Sequence, residues 1–352
     1  MTDAATAATA ATAATAAPTG LDLPALQRFF DTVVADAGPI RAELLHGGRS
    51  NLTYRITDGR SAWVLRRPPL GGLTPSAHDI AREYRVVAAL FDSAVPVARP
   101  VALREDPDVL GVPFCLVEYV DGQVIRTRAE LHALPAADIT RCAFGLIDVL
   151  ARLHAVDPAA VGLEGFGRAA GYLSRQVRRW HDQWTRVATR ELADLDLLHT
   201  LLIEACPAES GASIVHGDFR IDNAILDPGD VGTVRALVDW EMATLGDPLA
   251  DLGLHIAYAD PAFDPVLGGG AASTSPRLPS ADALVERYCA TSGRAVTNLP
   301  FYLALGCFKA AIIAAGIHAR HAQGMTVGTG FETVGSAVPL LVAAGLTALS
   351  GK

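Results

Sequence analysis

The sequence predicts an α+β protein in two unequal lobes: a small one over residues 38–120, built as an antiparallel sheet plus one helix, and a larger, mainly helical one over residues 121–352. Three observations carry this expectation. Strand-like alternation with hairpin signals is confined to the region before residue 120, and apolar residues at helical spacing dominate the chain beyond it. A chain of 352 residues with 50% hydrophobic content also has apolar surface enough for two cores.

Residues 1–20 are expected to form a disordered tail, because the Ala-Ala-Thr repeat from Ala4 to about Ala17 has neither the basic start nor the Leu-rich stretch of a secretory signal. Residues 21–37 have helical apolar spacing. Ser50–Thr57 and Ser61–Arg67 then alternate as two antiparallel strands around Asp58-Gly59, a pair that tolerates the positive φ of a hairpin turn. Between Pro75 and Phe91 a helix is expected, with Ser76 as its N-cap and Ile80, Tyr84, Val87 and Phe91 on one face; Glu83 lies beside that face and Arg82 points away from it. The runs Pro100–Leu103 and Pro113–Val120 complete the strands.

Beyond Asp121, residues 138–154 and 172–190 read as amphipathic helices. The second sets Leu173, Val177, Trp180, Trp184 and Val187 against a stripe of Arg175, Arg179, Arg186 and Arg190, which is more commonly a solvated face than a receiver of anions. Residues 268–280 are expected to be a loop, and helices to fill most of 281–350. The apolar runs 301–317 and 334–349 contain Lys309 and Pro339 and fall short of the roughly 20 residues of a membrane span, so they are expected to be buried helices and no membrane partner is expected.

A net charge of −9 without a large basic patch argues against nucleic acid as a partner. Five cysteines, scattered and never spaced as CxxC, fit a reducing cytoplasm and small buried apolar positions. The charge is concentrated: residues 213–254 hold eight acidic side chains against two arginines, a net six of the nine negative charges. A divalent cation with hard oxygen ligands, Mg²⁺ above all, is the natural counter-charge for such a segment.

Within that segment Val215 ends an apolar strand, His216-Gly217-Asp218 opens a polar loop, and Asn223 stands five residues after Asp218. A second strand, Ala236-Leu237-Val238, delivers Asp239 sixteen residues after Asn223, so a hairpin brings three oxygen-bearing side chains to one edge. One can act as a base while two hold metal, the division that phosphoryl transfer requires. Each piece alone is commonplace, since Asp and Asn favour turns, but the joint spacing is not. His216 is expected to support the loop by hydrogen bonding, His154 to pack or cap a helix end, and Asp247 and Asp251 to brace a turn and to tie the loop to the next helix.

HGDFRIDNAIL and VDWEMATLGDPLADL resemble the catalytic and metal-binding loops of the aminoglycoside phosphotransferase and choline kinase-like family, which has a two-lobed protein-kinase-like fold. The likeness runs from about residue 40 to about 325. YRITDGRSAWVLRRPP, FCLVEYVDG and RQVRRWHDQW look closest to the branch of kinase-like domains associated with acyl-CoA dehydrogenases. The resemblance implies Asp218 as base, Asn223 and Asp239 as Mg²⁺ ligands, ATP as co-substrate, and a small molecule bearing a hydroxyl as acceptor.

It also implies a nucleotide site in the small lobe. Gly47, Gly48, Ser50 and Asn51 stand where the family keeps its phosphate-covering loop, and Glu118, Tyr119 and Val120 where its hinge backbone meets adenine. The usual strand lysine is missing, since the chain has only Lys309 and Lys352; Arg66 takes its position, with Glu83 as the expected partner. Two other readings stay open beside an ATP-dependent small-molecule kinase: a nucleotide-binding pseudokinase scaffold, supported by Arg66, and an aminoglycoside-modifying resistance kinase. Neither helical region is strongly acidic, with five acidic and six basic residues in 255–352 and twelve and ten in 121–212, as a polycationic antibiotic would favour.

Overall fold

The computed structural model describes residues 18–45, 51–70, 79–325 and 330–351. Contacts divide the chain into two compact units, one of residues up to Ala81 with Val101–Tyr119, the other of Arg82–Pro100 with Val120 onward. The first opens with α1 (Leu23–Val33), whose N-cap Asp22 accepts a hydrogen bond from the Ala25 N–H at 2.9 Å. This helix ends four residues short of the predicted Ala37, because Val34 turns extended. Five strands come next in the order β1-β2-β3-β5-β4: β1 (Arg41–Leu44), β2 (Leu52–Thr57), β3 (Ala62–Arg67), β4 (Pro100–Arg104) and β5 (Phe114–Glu118). The four-residue β1, mostly exposed, is not foreseen from sequence because it is too short to show alternation.

The predicted hairpin is present, with Thr57 opposite Ala62. Its loop spans four residues: Gly59 has φ +88°, and the Asp58 carboxylate accepts from the N–H groups of Arg60 (2.9 Å) and Ser61 (2.7 Å). Period-two alternation sorts the sheet faces. Tyr54, Ile56, Trp63, Leu65, Phe114 and Leu116 pack with Leu26 and Phe30 of α1, and the Phe30 and Trp63 rings meet edge to face at 5.2 Å. Val64 and Arg66 therefore take the opposite face.

The helix predicted from Pro75 is described from Ile80, as α2 (Ile80–Leu90); the expected cap Ser76 lies outside the described residues. Its buried side is Ile80, Glu83, Val86, Val87 and Leu90. Arg82 is not on that buried side, as expected, but it is not left to solvent. Its guanidinium donates to the carbonyls of Phe166 (2.6 Å) and Ala243 (3.1 Å) and lies 3.8 Å from the centre of the Phe166 ring.

The second unit continues with α3 (Arg128–His132), α4 (Ala136–Ala155), α5 (Tyr172–Val187) and α6 (Ala193–Glu204), then β6 (Ser213–Val215), β7 (Ala224–Asp227), β8 (Asp230–Leu237), β9 (Thr244–Gly246), α7 (Pro248–Ala257), α8 (Ala281–Ser292), α9 (Leu299–Ala322) and α10 (Val334–Ser350). β6 pairs with β9 and β7 with β8, both antiparallel. Helix α9 has the length and apolarity of a membrane span, longer than the apolar run inside it, yet 72% of its apolar window is buried within the protein. On α5 the arginine stripe is mainly solvated, except that Arg175 donates to the carbonyls of Arg168 and Ala170. The 268–280 loop is tied down: the Asp264 carboxylate accepts from the Gly270 and Ala271 N–H groups at 2.9 Å each and from the Arg128 guanidinium. No disulfide joins the five cysteines, and Cys115, Cys142 and Cys307 are buried.

Helix α4 crosses β8 closely enough that a Cβ on Gly145 would sit 2.1 Å from the Gly232 carbonyl oxygen. Alanine normally stabilises a helix interior by about 1 kcal/mol over glycine. Here overpacking against backbone outweighs that gain, and Gly145→Ala should destabilise by roughly 1–3 kcal/mol in a urea melt.

Candidate active site

The loop after β6 is held by a carboxylate from α7. Asp251, in the first turn of that helix and 2% exposed, accepts the His216 N–H at 2.6 Å and the Gly217 N–H at 2.8 Å. His154, at the end of α4, supports it, with Nε2 3.5 Å from Asp251 and Nδ1 2.8 Å from the Tyr288 hydroxyl. Burial presses the Asp251 pKa upward, but the His154 hydrogen bond and the backbone donors hold it below its ordinary value. Asp247 caps α7 through the Leu249 N–H (2.9 Å) and also fixes Ser210.

His216 is fully enclosed. Its Nε2 lies 3.0 Å from the Val238 carbonyl and its Nδ1 3.3 Å from the Asp218 N–H, so the ring donates from Nε2 and accepts at Nδ1, the neutral tautomer. Gly217 has φ +81°, and a Cβ there would stand 2.6 Å from the Met242 carbonyl oxygen, so only glycine fits. Its own carbonyl accepts from the Lys309 ammonium on α9.

These contacts present the Asp218 side chain, one-fifth exposed, at the loop's end. Its Oδ1 accepts from the Tyr258 hydroxyl, and its Oδ2 lies 3.2 Å from Asn223 Nδ2 and 3.3 Å from Arg220 Nε. Burial works to raise its pKa, but Arg220, Lys309 and Tyr258 together hold the carboxyl below the ordinary value. Arg220 also reaches Asp222 at 3.1 Å, whose pKa goes the other way, pushed up by burial and by the Asp218 charge despite that arginine. Burial and the Asp218 charge also raise the Tyr258 phenol well above its ordinary value, so it remains a donor.

Asn223 closes a 3₁₀ turn, Ile221–Asn223, and is 6% exposed. Its Nδ2 also donates to the Asp218 carbonyl at 2.8 Å, so its amide oxygen is the atom free for another ligand. The β7–β8 pairing sets Ala224 opposite Leu237, and the Val238 N–H donates to the Asn223 carbonyl at 2.9 Å, which makes Asp239 the next residue along that edge. Asp239 has φ +67°, a left-handed conformation that costs a non-glycine residue about 1 kcal/mol or more and is kept where the surroundings impose it. An amide oxygen and a carboxylate are hard donors of the kind Mg²⁺ takes while it keeps several other ligands. Among the described residues no group of three or more His, Cys, Asp or Glu side chains could hold a metal alone.

Much of the acidic segment's charge is met within the protein: Asp218 and Asp222 share Arg220, Asp227 pairs with Arg235 at 2.9 Å, Asp230 with Arg141 at 3.1 Å, and Asp247 and Asp251 accept backbone N–H groups.

In the sheet unit, Arg66 sits opposite Thr53 on β2 and Cys115 on β5, on the face turned away from α1. Asn51, 4% exposed, immediately precedes β2. Glu118 ends β5 opposite Trp63, and the Tyr119 N–H donates to the Ala62 carbonyl at 3.0 Å. Glu83, 5% exposed, and Val120 belong to the helical unit. Gly47, Gly48 and Ser50 lie outside the described residues.

A family model described as the phosphotransferase enzyme family matches residues 41–284. The chain belongs to this family. Human acyl-CoA dehydrogenase family member 11 is 34% identical over 281 residues, 79% of this chain and 36% of that protein. Mouse acyl-CoA dehydrogenase family member 10 is 34% identical over 85% of this chain and 28% of its own length. The chain thus spans about a third of the length of the curated relatives it matches. Among solved structures, a Ralstonia eutropha protein provisionally assigned as an aminoglycoside phosphotransferase is 31% identical, with a TM-score of 0.80 over 94% of this chain and 98% of its own. A thermostable mutant of aminoglycoside phosphotransferase APH(4)-Ia in complex with ADP and hygromycin B, 17% identical with a TM-score of 0.61 over 91% and 98% of the two chains, shares the kinase-like fold.

Three residues around Asp218 are not among the site residues that the sequence pointed to. Arg220 lies in view inside HGDFR, and Lys309 is the one charge in an apolar run, but nothing local distinguishes Tyr258. The depressed Asp251 pKa makes a pH prediction. Its stabilisation is complete above the ordinary value of 3.8 and is lost as pH falls below that toward the folded value. Asp251→Asn should therefore lower stability at pH 6 by about 3 kcal/mol or more and flatten the loss between pH 5 and 3, as read from urea midpoints at each pH.

Proposed function

We propose that this phosphotransferase-family chain transfers the γ-phosphoryl group of ATP, with Mg²⁺, to a hydroxyl on a small molecule. The carrying observation is the Asp218 carboxylate, held below its ordinary pKa on a loop whose peptides are each fixed, with Asp239 one residue past the Val238 that donates to the Asn223 carbonyl. Asp218 orients the acceptor hydroxyl and takes its proton as the new oxygen–phosphorus bond forms and ADP leaves. Asn223 and Asp239 would hold Mg²⁺, whose charge offsets that of the phosphates. The ADP complex of the APH(4)-Ia neighbour supports nucleotide binding.

The acceptor we favour is a hydroxylated acyl compound or another metabolite. The curated relatives are named for acyl-CoA dehydrogenases, and neither helical region is strongly acidic, as a polycationic aminoglycoside such as the hygromycin B bound by that neighbour would favour. Expression of the protein should therefore leave aminoglycoside sensitivity unchanged.

Asp218→Asn should abolish Mg²⁺-dependent transfer or slow ATP hydrolysis while leaving ATP-induced thermal stabilisation in place. Stabilisation without turnover in the wild-type protein would instead establish the pseudokinase reading, which Arg66 in place of lysine favours. Arg66→Ala should weaken ATP binding or turnover by about tenfold, ~1.4 kcal/mol, measured by steady-state kinetics. Wild-type kinetics in that variant would remove Arg66 from the nucleotide site.

A further inference from the structure

Lys309 is the only lysine among the described residues, and it occupies a helix that is otherwise almost wholly apolar. Its Nζ donates to the Gly217 carbonyl and lies 5.7 Å from the centre of the Trp180 ring. The cavity around it, lined by Tyr172, Gln176, Trp180, Gly217, Asp251 and Lys309, measures about 30 Å³. That is room for about one water, so no acceptor molecule can reach the amine here. Burial holds the lysine's pKa below its ordinary value, with Asp218 and Asp251 offsetting part of that effect.

The position of that contact in the chain decides what it does. The Gly217–Asp218 peptide has two polar groups: its N–H donates to His216 Nδ1, and its carbonyl has Lys309 as donor. The two preceding N–H groups are held by Asp251. Gly217 itself is left-handed, a conformation in which glycine resists rotation of this peptide least. The carbonyl contact is therefore what opposes a flip of the unit bearing Asp218.

Resting on the proposed phosphoryl transfer, we infer that Lys309 is a positioning residue, reaching from α9 to lock the Gly217–Asp218 peptide so that the Asp218 carboxylate is held in its productive orientation. Lys309→Met removes the donor at nearly constant volume, and Lys309→Arg retains it. In the methionine variant, hydrogen exchange of the peptide covering residues 214–219 should quicken while peptides elsewhere keep their protection. The turnover number for ATP should fall about tenfold to a hundredfold, with KM for ATP unchanged. The arginine variant should recover most of both, and it is the variant to read if methionine disturbs folding.

Unchanged exchange at 214–219 in the methionine variant, or equal loosening in both variants, overturns the inference. Wild-type protein without any turnover would defeat the functional proposal, and the exchange measurement would still decide the role of Lys309. An active wild type with a fully active, unloosened methionine variant leaves the function standing and removes the lysine from it.

Discussion

The arrangement around Asp218 depends on one buried carboxylate that never meets a substrate. Asp251 accepts two consecutive backbone N–H groups of the loop, and these would otherwise be orphan donors in the interior, costing about 1–3 kcal/mol each. The carboxylate in turn could not remain ionised without those donors and His154. Each side thus stabilises the other, and the reciprocity fixes the start of α7 against the end of β6. Asp247, four residues earlier, does the same for Ser210 while capping the helix. Two acids one turn apart at a helix N-terminus also sit where the helix dipole favours negative charge.

That division of labour explains why an acid-rich segment can carry two kinds of carboxylate. Asp227, Asp230, Asp247 and Asp251 are committed to arginines or backbone donors, as ordinary structural acids are. Asp218 is different, because its partners are a phenol, an amide and one edge of a guanidinium shared with Asp222, and its side chain remains one-fifth exposed. It is held ionised and oriented without being sealed off. A base that positions a hydroxyl needs both properties, since a carboxylate fully paired with cations has no lone pair to offer.

The hairpin and the loop are legible in the sequence because their signals are local. Asp58-Gly59 between alternating runs, and HGD, Asn and Asp at fixed spacing, each depend on neighbours within twenty or so residues. Strand β1 is not legible because four residues show no period, nor is the role of Arg82, because a helix periodicity says which side is apolar but not which carbonyls a long guanidinium will find. Tyr258 and Lys309 reach Asp218 and Gly217 across 40 and 92 residues of chain. No window on the sequence spans such a contact, although the lone lysine in an apolar run is its one visible trace. The charge pairing within the acidic segment is legible only in part for the same reason: Arg220 and Arg235 lie inside the segment, while Arg141 reaches Asp230 from α4.

Rigidity in this hairpin and loop has a backbone cost. Gly217 at φ +81° and Asp239 at φ +67° are both left-handed, but they differ in what that means. Glycine takes the conformation freely, and the contact with Met242 explains why nothing larger stands there. Asp239 gains no such relief, and a strand could end on a relaxed residue instead. Its backbone turns the chain out of the β8 direction into a 3₁₀ turn, one residue after the Val238–Asn223 hydrogen bond. Asp36 and Asn298 share that left-handed region, so it is the position of Asp239 after the Val238–Asn223 hydrogen bond, and not its φ alone, that sets it apart from an ordinary turn acid.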